Sequence, residues 1–392
     1  MCTPLLNKAM KTKKGEDIRK VSLALHKKLR GKISIVPKIP VKNKQDLSLV
    51  YTPGVGAVSS YVATHKEKMS EYTMKGNTVA VISDGSAVLG LGNIGPEGAL
   101  PVMEGKAMLF KALSGIDAFP IVLDTQDTEE IIATVKHIAP VFGGINLEDI
   151  AAPRCFEIER RLQEELSIPV LHDDQHGTAL VVLSGLINAL KVVKKSPKKV
   201  KVVIAGSGAA GTAIAELLML FGVRDVIMLD SQGIIHRNRA NLEKEKALLA
   251  EKTNKQGISG GLEEALIEAD VFIGVSKGDT VKEHHIKRMS KDPIVFALAN
   301  PVPEIMPDVA KKAGARVVAT GRSDFANQIN NSLGFPGIFR GALDHKVRRI
   351  TDTMLIRAAK NLAALVRKPS PVNIIPNTFD KAVVQAVAKA IR

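Results

Sequence analysis

Short apolar runs broken by glycine, proline and polar clusters dominate the first half of the chain. "VAVISDG" (79–85) and "AFPIVLD" (118–124) are continuous apolar stretches of strand length, which predicts strands covered on both faces. "GKAMLFKAL" (105–113) lies between them and predicts a helix. "IPVLHDD" (168–174) is a further strand running into polar residues. It is followed by "TALVVLSGLINALKVV" (178–193), apolar on most faces and therefore a largely buried helix. From Lys198 to about Thr320 strand-like and helix-like segments alternate, the signature of a parallel α/β sheet. Beyond that the chain is mostly helical, punctuated by "GFPG" (334–337) and "KPSPVNIIP" (368–376). At 392 residues the chain is long for one core, and two domains are the expectation.

The pattern G-x-G-x-x-G occurs twice. One copy, Gly206, Gly208 and Gly211, has a strand before it (200–205), an Ala/Leu-rich helix after it, and a second strand ending in Asp230. In that setting the glycines permit a tight turn, close approach of a pyrophosphate and tight helix–strand packing. The helix N-terminus faces the phosphates, and the acid reaches the ribose hydroxyls. Gly206, Ser207, Gly208, Ala210, Gly211 and Asp230 are thus the expected dinucleotide contacts. A carboxylate at Asp230 favours NAD over NADP, although His236, Arg237 and Arg239 follow closely and could compensate for a 2′-phosphate. The other copy, Gly90, Gly92 and Gly95, runs straight into Pro96 and Gly98. It reads as a backbone turn framing a pocket, with no regular helix opening at its third glycine.

Two acidic pairs stand out in a chain of net charge +15: Glu148-Asp149 in "NLEDI" and Asp173-Asp174 in "HDDQHGT". Carboxylates drawn together from two segments repel unless a cation lies between them, and a hard divalent ion fits oxygen donors best. Taken singly, each pair could equally be surface acids at helix caps. A nicotinamide cofactor beside such a metal suggests oxidation of a hydroxy acid, which also wants a base and an acid. Lys106, behind a flexible glycine, and Tyr51, on a Pro/Gly turn, are candidates, though neither stands out alone.

The positive balance raises nucleic acid as a partner, but the chain has no Trp and only 4% aromatic residues, which leaves few stacking platforms. No apolar run reads as a membrane span, and two cysteines, Cys2 and Cys155, are too few for a disulfide framework. Residues 1–32 are basic, but Glu16 and Asp17 argue against a transit peptide, and the cytoplasm is the expected compartment.

The segments "VYTPGVG", "SDGSAVLGLGNIGPEGALPVMEGKAMLFK", "INLEDI", "IPVLHDDQHGTA", the later glycine fingerprint, "FALANPVPEI" and "TGRSDFANQINNSLGFPGIFRGAL" together resemble the malic enzyme family. The likeness is to its short bacterial and archaeal branch, and the blocks run in family order over nearly the whole chain. The resemblance implies Tyr51 as general acid and Lys106 as general base. It implies Glu148, Asp149 and Asp174 as ligands to Mn²⁺ or Mg²⁺, with Asp173 beside them as a supporting or alternative ligand. Asn300 and Asn331 would contact substrate and cofactor. The arginine that grips a substrate carboxylate in longer members is missing from Asp84-Gly85-Ser86-Ala87-Val88, and Arg322 is the candidate replacement.

The implied reaction is oxidative decarboxylation of (S)-malate to pyruvate and CO₂ with reduction of NAD or NADP. A malolactic-type enzyme releasing lactate is the alternative, and a catalytically silent dinucleotide sensor or scaffold the alternative of another class. The expected architecture is a Rossmann-type dinucleotide-binding domain (179–324) inserted into a mixed α/β catalytic domain (1–178), to which the C-terminal helices (325–392) return. The resemblance also implies a homodimer or higher homo-oligomer, with an active site that subunits could share.

Overall fold

The structure, a computed structural model, describes residues 17–88 and 90–392; Cys2 and the first half of the basic N-terminal segment lie outside them. Among the described residues four short helices come first: α1 (Ile18–Leu29), α2 (Lys44–Val50), α3 (Gly54–Thr64) and α4 (Met69–Tyr72). None of the four buries a residue within this chain.

Strands and helices then alternate: β1 (Thr78–Ser83), α5 (Gly95–Ser114), β2 (Asp117–Val122), α6 (Thr128–Ile138), β3 (Gly144–Leu147), α7 (Arg154–Glu165), β4 (Val170–His172) and α8 (Asp173–Val193). The four strands form a parallel sheet in the order β2-β1-β3-β4. Both faces are covered, so β1, β3 and β4 are buried at every position, as their unbroken apolar runs require.

The second sheet is built from β5 (Lys201–Ala205), α9 (Ala209–Phe221), β6 (Asp225–Asp230), β7 (Gly233–Ile234), α10 (Lys244–Lys252), α11 (Leu262–Leu266), β8 (Val271–Gly274), α12 (Glu283–Lys287), β9 (Ile294–Ala297), α13 (Pro307–Lys312) and β10 (Val317–Thr320). Its order is β10-β9-β8-β5-β6-β7, parallel except for the antiparallel edge strand β7. The chain winds outward in both directions from β5. That reversal opens a crevice at the carboxyl ends of β5 and β8, where ligands bind in sheets of this kind.

Three C-terminal helices follow: α14 (Phe335–Asp344), α15 (Asp352–Ala364) and α16 (Ala382–Ala388). Phe335 and Phe339 of α14 set their rings edge-on to Phe110 of α5, at 4.7 and 5.5 Å, and so tie the C-terminus back to the first sheet. By length and composition α8 could cross a membrane, contrary to the sequence reading, but two thirds of its apolar window is buried inside the protein. It is the central core helix, packed between α9 and α15.

One expectation is overturned. A regular helix, α5, does open at Gly95, ten residues earlier than the predicted segment 105–113. Pro96 falls in its first turn, where a missing N–H costs nothing because no intrahelical acceptor exists for it. The preceding turn does frame a pocket: Gly90 lines the main cleft with φ +73°, and a Cβ there would sit 2.4 Å from the Asn300 carbonyl oxygen.

Candidate active site

Strand register brings the acids together. β3 and β4 pair Leu147 with His172, so the next residues, Glu148 and Asp173, emerge side by side at the carboxyl end of the sheet. Lys106 reaches them from α5, with its Nζ 2.8 Å from Glu148 Oε1 and 2.7 Å from Asp173 Oδ2. The ammonium also lies 4.2 Å from the centre of the Phe335 ring. All three of these ion-pairing residues are buried.

Asp149 adopts a left-handed backbone, φ +54°, unusual for a side-chain-bearing residue, and its N–H donates to Asp174 Oδ2 at 2.9 Å. The turn places carboxylate oxygens of Glu148, Asp149 and Asp174 within 4.8 Å of one another. Asn146 steadies the group by donating to Glu148 Oε2 at 2.8 Å. The geometry therefore divides the second acidic pair: Asp173 turns to Lys106, and Asp174 joins Glu148 and Asp149. Gly177 makes room for Asp173, since a Cβ there would lie 1.8 Å from its Oδ1.

Four carboxylates against one ammonium leave the cluster net negative in a desolvated place. Burial works against the charge of Lys106, but Asp173 and Glu148 outweigh it and hold the ammonium well above the usual lysine range. Burial likewise pushes the Asp173 carboxyl up to about 6 and raises that of Glu148. Burial thus favours the protonated form of the two acids, while the acids favour the charged form of the lysine. An all-oxygen donor set in such a field, with the buried Oδ1 of Asp173 lacking a hydrogen-bond partner, suits Mg²⁺ or Mn²⁺.

Asp174 opens onto a cleft of about 450 Å³ that runs between the two sheets. Gly208 and Ala210 line it from the glycine turn, and Asn300 and Asn331 from the opposite wall. Beyond the turn a second cavity, of about 930 Å³, is lined by Gly206, Ser207, Asp230, His236 and Arg239. Gly206 takes φ +118°, and a Cβ on Gly211 would lie 1.8 Å from the Gly206 carbonyl oxygen, so the helix can pack this closely only on glycine. The two cavities flank the N-terminus of α9, an extended path suited to a dinucleotide with its pyrophosphate at the helix end.

Two predicted residues are placed elsewhere. Arg322 follows Gly321 of the cleft wall, but its guanidinium pairs with Asp324 at 2.7 and 2.9 Å and donates to the Pro301 carbonyl. Tyr51, at the end of α2, is 64% exposed and is not among the described residues lining the cleft.

Other contributors escaped sequence reasoning. Glu304 is fully buried and accepts from the N–H groups of Ser276 and Ala299, both at 3.0 Å, which joins the two loops walling the cleft. Nothing local in its motif "NPVPEI" marks the acid as buried. Glu159 of α7 accepts from the His172 N–H, Gln175 and His176, and so braces the start of α8 from behind.

A dinucleotide fold whose glycine turn lines the same cleft as Asp174, a member of the buried carboxylate cluster, is the arrangement of a nicotinamide-dependent oxidoreductase. Residues 30–130 and 125–163 match the malic enzyme N-terminal domain, and residues 175–391 match the malic enzyme NAD binding domain. The chain belongs to the malic enzyme family. It is 54% identical over 377 residues to the bifunctional malic/malolactic enzyme of Bacillus subtilis, covering 95% of this chain and 92% of that one. It is also 54% identical to the NAD-dependent malic enzyme of Geobacillus stearothermophilus, over 99% of this chain and 81% of the relative. The crystal structure of the NAD-dependent malic enzyme of Thermotoga maritima superposes with a TM-score of 0.92 at 52% identity, covering 94% and 98% of the two chains.

Proposed function

We propose that the protein catalyses oxidative decarboxylation of (S)-malate to pyruvate and CO₂, with reduction of NAD in preference to NADP and dependence on Mn²⁺ or Mg²⁺. The observation that carries this reading is Lys106 held between Glu148 and Asp173, next to the Glu148–Asp149–Asp174 oxygens, of which Asp174 lines the dinucleotide cleft. Glu148, Asp149 and Asp174 would hold the metal, and Asp173 would position Lys106. Gly206, Ser207, Gly208, Ala210, Gly211 and Asp230 would bind the dinucleotide, while Asn300 and Asn331 would meet its nicotinamide end and the substrate.

When bound, the metal supplies positive charge that polarises the hydroxy acid and steadies the negative charge left by decarboxylation, and the nicotinamide supplies a hydride acceptor. Lys106 takes the C2 hydroxyl proton at Nζ. For that it must be the neutral amine, which burial favours once Glu148 is committed to a cation. After the C3–CO₂ bond breaks, its electron pair is delocalised as an enolate, and Tyr51 gives C3 its proton. Arg322 remains the candidate for the substrate carboxylate, provided it exchanges Asp324 for that partner.

The exposure of Tyr51 supports a homodimer in which each subunit lends this residue to the other's cleft. Helices α1–α4 leave Leu23, Leu49 and Val55 uncovered, and the intervening loops leave Ile35 and Val36 uncovered. An apolar surface of that extent is what a subunit interface covers. The domain plan that fits is 1–178 for substrate and metal, 179–324 for the dinucleotide, and 325–392 returning to the first domain. A cytoplasmic location suits Cys155, a free buried thiol.

Release of lactate, as the name of the Bacillus subtilis relative records for that enzyme, is the second reading. Product analysis after incubation with malate and NAD separates the two. Pyruvate with stoichiometric NADH supports the proposal, whereas lactate with no net NADH supports the alternative.

A further inference from the structure

At the carboxyl ends of β8 and β9 the backbone ladder of the second sheet gives way to a side chain. The Val275 N–H donates to the Ala205 carbonyl and the Leu298 N–H to the Gly274 carbonyl, both at 2.9 Å. The next N–H of each segment, on Ser276 and on Ala299, goes to Glu304 Oε1 and Oε2, each at 3.0 Å. Glu304 is fully buried, and burial raises its pKa against the pull of these N–H groups, with no cation beside it among the described residues. Its backbone is pinned as well. The Glu304 carbonyl accepts from the Val281 N–H at 2.9 Å, and the Pro303 carbonyl from the Asp279 N–H at 3.0 Å.

The two loops so joined stand at different points of the cleft. Val275 packs on the glycine turn, where a Cβ on Gly206 would sit 2.7 Å from the Val275 carbonyl oxygen. Ala299 leads into Asn300, whose carbonyl oxygen packs on Gly90. Ser276, Ala299 and Asn300 all line the cleft. One carboxylate therefore ties the glycine turn to the Asn300 end. A carboxylate offers an acceptor on each oxygen, whereas an amide of the same shape has one acceptor and one donor group, so Gln would leave one of the two N–H groups facing another donor. Space is equally restricted, since a Cβ on Gly274 would lie 2.5 Å from Glu304 Oε1.

We propose that Glu304 is a positioning residue for the redox step: it holds the Ser276 and Ala299 loops at the spacing that sets the nicotinamide against the substrate. It acts through these backbone groups and through Asn300. This rests on reading the cleft as the site of the dinucleotide and malate.

The test compares the wild type, E304Q and G274A. Calorimetric titration with ADP-ribose, which lacks the nicotinamide, counts the competent dinucleotide sites, and malate turnover with NAD and Mn²⁺ is expressed per site so counted. E304Q should bind ADP-ribose within about threefold of wild type while kcat per site falls by about 10- to 100-fold, as expected when reacting groups are displaced by about 1 Å. Deuterium at C2 of malate should slow E304Q at least as much as it slows the wild type, because hydride transfer is the step disturbed. G274A, which crowds the carboxylate without removing it, should lose turnover in the same sense, and it carries the test if E304Q does not fold. Turnover per site within about threefold of wild type overturns the inference, as does a smaller isotope effect than in the wild type. Loss of ADP-ribose binding in step with turnover also overturns it, since Glu304 would then serve the fold alone. Failure of the wild type to bind ADP-ribose or to turn malate over overturns the reading beneath it instead.

Discussion

Lys106 Nζ lies 2.7 Å from Asp173 Oδ2, and this contact separates two adjacent aspartates by task. Asp173 and Asp174 open α8 together, yet one turns to the buried lysine and the other to the Glu148–Asp149 oxygens. If Lys106 is the base, Lys106→Met should lower kcat by about 10²–10⁴-fold, the usual contribution of a positioned proton acceptor, with a smaller effect on the malate KM. Lys106→Arg should not rescue it, because a guanidinium keeps its proton. Steady-state kinetics on the two variants checks both expectations, and turnover within a few-fold of wild type for either contradicts the role.

The same division predicts unequal metal affinities. Asp174→Asn should weaken Mn²⁺ binding by about tenfold or more, whereas Asp173→Asn should change it by much less while still lowering kcat through Lys106. Mn²⁺ titration followed by electron paramagnetic resonance reads the affinity without turnover. Equal losses in the two variants would mean that both aspartates ligate.

Tyr51 and Lys106 give a test of site sharing, since Tyr51 is exposed and Lys106 is buried within one chain. Tyr51→Phe and Lys106→Met homodimers should each be nearly inactive. If each subunit lends Tyr51 to its partner, mixed dimers contain one site with both residues intact and one with neither. Random mixing of equal amounts should then restore about a quarter of wild-type sites. No recovery, with mixed dimers verified by differential tagging, places both residues in the same subunit's site.

Acid stability should report on the second sheet. Asp270 accepts from Lys195 Nζ at 2.7 Å, Ser290 Oγ at 2.8 Å and the Lys201 N–H at 2.8 Å. Burial raises its pKa, but these partners prevail and hold it below the usual carboxylate range. A depressed folded-state pKa contributes stability that is fully present above the unfolded value of about 3.9 and is lost as pH falls toward the folded one. Asp270→Asn should therefore cost about 1–3 kcal/mol near neutral pH, with the gap to wild type closing below about pH 4. Chemical denaturation at several pH values checks this, and a gap independent of pH would point to lost packing instead.

Much of this arrangement was legible in the chain because it depends on local pattern. The strands β1 and β2 and the turn at Gly206 each announce themselves within a few residues, through continuous apolar runs or glycines in a β-turn-α setting. The start of α5 was hidden by Pro96 and Gly98, which read as helix breakers although the first turn tolerates them. Asp173 and Asp174 could not be told apart by chemistry, because their directions are set by where α8 begins and by which helix faces it. Glu304 and Glu159 gain their partners only through tertiary folding, across separations in sequence that no local motif encodes. The Pro/Gly turn marks Tyr51 only as a candidate, and its exposure is a property of the folded chain.

Metal-dependent oxidative decarboxylation is read by following absorbance at the reduced-nicotinamide band with malate and NAD, with Mn²⁺ present and after exhaustive chelation, while pyruvate is assayed in the same samples. NADH and pyruvate are expected in equal amounts with Mn²⁺, with loss of both on chelation and recovery when the metal is restored. Sustained turnover without metal, or NADH formed without pyruvate, would contradict it.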